Sequence, residues 1–214
     1  IDLGITVNRI TVSGRSKTST DEILAAVGMA RGQSLFEFDA QAAKSRIEAL
    51  GWVKTATVSR YFPDVIHVEL SERRPFALWQ SKRQVSVIDR AGAVITSADL
   101  DRFQTLPIVV GAGARYAAAE LIDVLGTEPA LFRRVQAASR VGGRRWNLHL
   151  DNNVEIQLPA IDQGRAWQRL ALLEQDHQIL GRDVAIIDLR APDRLALRLT
   201  DGAVERRRNP EEEA

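Results

Sequence analysis

"VKTATVSRYFPDVIHVEL", Val53 to Leu70, decides the fold of the first part of the chain. Ala56 and Val58 alternate with Thr55, Thr57 and Ser59; Ile66, Val68 and Leu70 alternate with His67 and Glu69. Period-two spacing on both sides of a Pro63-Asp64 pair predicts two strands joined by a turn. Upstream, residues 5–12, "ITVNRITV", predict another strand, closed by Ser13-Gly14. In "STDEILAAVG" Ser19 and Glu22 have capping-box spacing, Ile23, Leu24 and Val27 share a helical face, and Gly28 suits a left-handed stop. A second helix follows Asp39 as N-cap, with Ala43, Ile47 and Leu50 at i, i+4 and i+7. The order is β-α-α-β-β, an α+β unit with its helices on one face of a small sheet.

The polar run "SERRP", Ser71 to Pro75, marks a boundary. Beyond it strands are expected at Phe76–Gln80, Val85–Ile88, Ala93–Thr96 and Pro107–Gly111, and a helix over 116–135 broken at Pro129. "RRWNLHLDNNVEIQLP" predicts a hairpin: Trp146, Leu148 and Leu150 alternate before its turn, Val154, Ile156 and Leu158 after it. A helix over 161–180 presents Ala166, Leu170, Leu173, His177 and Leu180 in one stripe. The expected organisation is a first domain over 1–74, a mainly antiparallel β-domain with packed helices over 75–206, and a charged, disordered tail over 207–214.

The 214 residues are 45% hydrophobic and 27% charged, ordinary globular values, and the net charge of +1 supplies no field to gather nucleic acid. With no cysteine, disulfides, thiolate metal sites and cysteine nucleophiles are excluded together. No apolar run reaches the roughly 18 residues of a membrane span, and the chain starts at Ile1; it reads as an excised fragment, any anchor or targeting segment having been removed with the missing N-terminus. His67, His149 and His177 fit no metal-ligand spacing, and no nucleophile elbow or phosphate loop is present. No catalytic group, cofactor or metal site is expected. Arg133, Arg134, Arg140, Arg144 and Arg145 crowd a stretch without carboxylates, read as a solvated β-rim or a binding patch.

The chain closes with "VAIIDLRAPDRLALRLTDG", Val184 to Gly202. Val184, Ile186, Ile187 and Leu189 suit an internal strand, and Ala191-Pro192-Asp193 a turn. Leu195, Leu197 and Leu199 then alternate with Ala196, Arg198 and Thr200. Such a last strand has one neighbour and a free row of amides and carbonyls. Either residues 203–208 cover that margin, or a partner peptide completes it by strand addition. Proline at Arg198 is expected to remove an outward donor and leave the domain folded.

"GWVKTATVSRYFPDVIHVELSERRPFALW", with Glu72, Pro75, Ala77 and Trp79, resembles the end of the POTRA domain and the junction of the FtsQ/DivIB bacterial cell-division family. "VIDRAGAVI", "LPIVVG", "WNLHLDNNVEIQL" and "IIDLR" resemble later segments of the same family, in order and across nearly the whole chain. The resemblance implies a non-enzymatic divisome scaffold: a periplasmic POTRA plus β-domain on a single-pass inner-membrane protein at the septum. It implies FtsB-like and FtsL-like bitopic partners, the former adding a strand at the last strand of the β-domain, and recruitment partners on the POTRA. By position, the partner-binding residues are Arg190 and the strand Leu195, Ala196, Leu197, Arg198, Leu199 and Thr200, with Arg144 or Arg145 facing acidic partner residues. Some members carry aromatics where Ala191 and Leu199 stand here, so the anchoring pockets differ. The alternative is a POTRA-bearing component of outer-membrane protein assembly or export.

Overall fold

A computed structural model describes residues 6–29 and 32–208. The chain divides into two compact units, residues 1–74 with Val94–Thr96, and Pro75–Ala93 with Ser97–Ala214.

In the first unit, strand β1 (Arg9–Ser13) is followed by helices α1 (Thr20–Val27) and α2 (Ala40–Glu48), then strands β2 (Val53–Tyr61) and β3 (Val65–Glu72). The sheet order is β1-β3-β2; β1 runs parallel and β2 antiparallel to β3. Both predicted caps form. Ser19 and Glu22 make a reciprocal capping box, and Asp39 accepts from the Ala42 N–H at 2.9 Å. Gly28 sits at φ 67°, beside the Arg46 guanidinium that donates to the Ala26 and Val27 carbonyls. The core joins Ile23 and Val27, Ala43 and Ile47, and Val53, Ala56, Ile66, Val68 and Leu70. Strict alternation fails at one point: Val53 and Ala56 are both buried because the register slips between Val53 and Thr55. The first strand begins at Arg9 rather than residue 5, which lies outside the described residues; Thr6 makes only an isolated bridge to Ser34.

The second sheet has the order β12-β11-β10-β9-β8-β7-β4-β5-β6. Its strands are β4 (Ala77–Ser81), β5 (Gln84–Ile88), β6 (Val94–Thr96), β7 (Ile108–Val110), β8 (Val135–Val141), β9 (Arg145–Leu150), β10 (Glu155–Gln157), β11 (Val184–Asp188) and β12 (Ala196–Leu199). Antiparallel pairs are interrupted by the parallel pairs β4–β7, β7–β8 and β10–β11. Parallel neighbours need crossovers. Helices α3 (Ala114–Leu125) and α4 (Pro129–Phe132) link β7 to β8, and α5 (Gln163–His177) links β10 to β11. Pro129 does not merely break a helix to 135: it opens α4, and β8 follows at Val135. Ala166 and Leu170 are buried as expected, but His177 is exposed at the end of α5, and Trp167, absent from the predicted stripe, is fully buried. Its indole Nε1 donates to the Leu125 carbonyl at 3.1 Å and joins α5 to the end of α3.

After β12 a helix, α6 (Asp201–Arg208), continues across the expected start of the disordered tail; residues 209–214 lie outside the described residues. Among the described residues no helix is long and apolar enough to cross a membrane.

Candidate partner-docking edge

Val184, Ile187 and Leu189 are buried, and β11 is held between β10 and β12. The Leu189 N–H donates to the Gln157 carbonyl at 3.0 Å; the Arg190 N–H then turns back to Asp188 Oδ1 at 2.9 Å, which lifts the chain out of the sheet. After the turn, β12 pairs with β11 and ends the sheet.

Register decides what this edge offers. The Thr200 N–H donates to the Asp183 carbonyl at 3.0 Å, so that N–H faces β11, while the Thr200 carbonyl already accepts from the Val204 N–H of the following helix at 3.1 Å. Alternate residues of a strand point the same way. Arg198 and Ala196, opposite Ile186 and Asp188, therefore also face inward, and the N–H and C=O of Leu197 and Leu199 face outward. This corrects the expectation for proline at Arg198: there it removes a donor of the β11–β12 ladder, whereas at Leu199 it removes an outward one. The predicted span Leu195–Thr200 is strand only from Ala196 to Leu199.

Side chains follow the same parity. Leu195 and Leu199 pack against the core, while Leu197, paired with the buried Ile187, is 45% exposed at the rim of the same face. Arg198 is exposed on the opposite face. There a polar row crosses the sheet: Ser139 Oγ lies 3.1 Å from His149 Nε2, and Glu155 Oε1 accepts from Asn147 at 2.9 Å and Gln157 at 2.8 Å.

Arg190 forks onto Asp188, Nε to Oδ1 at 2.8 Å and Nη2 to Oδ2 at 2.6 Å. That pairing holds the Asp188 carboxyl below its ordinary range against a partial burial that opposes it, and the charge of Arg145 adds to the effect. Asp188 in turn raises Arg190. Two of the predicted arginines are thus drawn to one carboxylate, Arg190 by direct bonds and Arg145 through its charge alone. Arg144 is not: it lies in the exposed β8–β9 turn. The basic stretch is dispersed, Arg134 pairing with Asp151 and Glu174, and Arg140 lying over Trp146. Two participants escaped sequence reading. Asp188 was visible only as part of "DLR"; Arg169, whose contacts are with residues 22 to 25 positions away, left no local signal.

Residues 5–73 match the family description "POTRA domain, FtsQ-type", and residues 77–190 match "Cell division protein FtsQ/DivIB, C-terminal", which ends just before the β11–β12 turn. Proteins described as "Cell division protein FtsQ" are 38% identical in Agrobacterium fabrum, 41% in Rhizobium meliloti and 39% in Caulobacter vibrioides. The matches cover 95, 95 and 94% of this chain. They cover 64, 66 and 67% of those proteins, so the chain spans about two thirds of their length. On matches to both units in sequence order, the chain belongs to the FtsQ/DivIB family of bacterial cell-division proteins.

Proposed function

We propose that this chain is the periplasmic part of a membrane-anchored, non-enzymatic scaffold of the divisome, and that its β12 edge captures an FtsB-like partner by strand addition. FtsL-like proteins join the same assembly, and the first unit serves recruitment partners. The observation that carries the reading is the outward row of main-chain groups at Leu197 and Leu199 on a strand that ends its sheet. A partner strand alongside it makes about four main-chain hydrogen bonds, each worth ~1 kcal/mol net. It also covers the rim of Leu197, worth about 1 kcal/mol. Ordering a flexible peptide offsets much of that gain, so an acidic side chain on Arg145, Arg190 or Arg198 supplies the rest; the expected affinity is micromolar to submicromolar.

The test is capture of the extracytoplasmic segment of the cognate FtsB-like protein by Leu199→Pro, measured by calorimetry. The variant gives up the packing of the half-buried Leu199 but no donor of the β11–β12 ladder, so it is expected to keep its fold and to lose at least tenfold in affinity, about 1.4 kcal/mol. Unchanged affinity in the folded variant rules out strand addition at this edge.

A further inference from the structure

The turn that delivers β12 to the sheet edge is held from outside. Among the described residues, no backbone donor reaches the carbonyls of Ala191, Pro192 or Arg194. All three are taken by one side chain of α5. Arg169 donates through Nη1 to the Pro192 carbonyl, and through Nη2 to the Ala191 carbonyl at 3.2 Å and the Arg194 carbonyl at 3.3 Å. Its Nε, meanwhile, is buried without a hydrogen-bond partner. A buried donor left unbonded is costly, so the fork is held in this pose by its grip on the turn.

We infer that Arg169 is a positioning residue for partner docking: it fixes the β11–β12 turn and so presents the four-residue β12 as a preordered template. The inference rests on the strand-addition reading. β12 has four paired positions with β11, one of them beside a register slip, and its leading end emerges from the turn that Arg169 grips. A strand so briefly paired frays at whichever end is released. A frayed template must be ordered when the partner binds, which lowers affinity by the fraction of time it is out of register. A guanidinium suits the task because its planar fork reaches several acceptors at once; an ammonium is a point donor and cannot span three carbonyls in the same way.

The experiment uses the full chain with Arg169→Met, which keeps the apolar stem and removes the fork, and Arg169→Lys, which keeps the charge. Amide hydrogen exchange is read without partner, and capture of the FtsB-like extracytoplasmic segment is read separately. Expected for Arg169→Met are exchange at Ala196 and Arg198 faster by roughly tenfold or more, unchanged exchange in β9, and a partner affinity lower by roughly tenfold, carried mainly by slower association. Arg169→Lys is expected to fall between, and decides the matter if the methionine variant does not fold. Unchanged β12 exchange overturns the inference; so does faster exchange with full affinity, which leaves Arg169 a structural clip only. Capture that persists at wild-type strength in Leu199→Pro overturns strand addition, whatever the Arg169 variants do.

Discussion

Glu72 closes the first unit with one carboxylate. It accepts from the N–H groups of Ser16 at 2.9 Å, Lys17 at 2.8 Å and Thr18 at 2.7 Å, and from the Thr18 hydroxyl at 2.7 Å. The loop between β1 and α1 is thereby tied to the end of β3. Burial pushes this carboxyl up, but the hydrogen bonds from Thr18, Ser16 and Lys17 outweigh it and hold Glu72 below its ordinary 4.5. A carboxyl lowered in the folded state adds stability that is full above its unfolded value and disappears as pH falls through the folded one. Acidification below about 4.5 is therefore expected to loosen the first unit, and Glu72→Gln to flatten that part of the profile while costing about 1–2 kcal/mol at pH 7. Urea unfolding across pH 3 to 7, followed by amide exchange at Ile66 and Val68, measures both. The same residue stands in the "SERRP" run that marks the boundary and among the residues that carry the family resemblance, but nothing local announces that its carboxylate closes the β1–α1 loop.

At the scale of elements, α5 carries the second unit. Trp167 is fully buried, and its indole bonds the Leu125 carbonyl, so Trp167→Phe removes volume and one of the two hydrogen bonds at that carbonyl, which keeps the Glu128 N–H at 3.2 Å. The expected cost is about 1–3 kcal/mol, read as a lower urea midpoint with an unchanged slope. What was legible in the sequence was periodic: both caps of the first unit, the Val53–Leu70 hairpin, and the β9–β10 hairpin at Trp146–Leu158. β8 was missed although Val135, Ala137 and Val141 precede a Gly142-Gly143 turn at φ 58° and 69°; the pull of the preceding helical pattern hid it. The β4–β5 turn could not be read, because Lys82 and Arg83 adopt φ 48° and 68° with no glycine to announce it. At the docking edge, the hairpin and its exposed last strand were legible. The facing of each amide was not, since it depends on a register slip near Val184. Nor was the grip of Arg169, which only the folded chain brings to the turn.

For the molecule as a whole, the position of β12 matters as much as its edge. It is appended last, after a sheet already complete from β11 to β6. Removing everything after Arg190 is therefore expected to leave the remaining strands folded but to uncover β11, whose run Val184, Ala185, Ile186 and Ile187 carries no charge. A bare apolar margin of that kind invites uncontrolled stacking between copies. Light scattering at rising concentration should show the truncated chain aggregating where the full chain stays dispersed, and Ile186→Lys in the truncated chain should restore dispersal. The outer strand is short and bears Arg198, so it is itself a poor seed for such stacking. It shields a sticky neighbour and, on the proposed reading, leaves its own outer margin to a partner. A protein that clamps this strand would then protect its host from precipitation as well as bind it, and a cell short of that protein would be expected to lose both members of the pair.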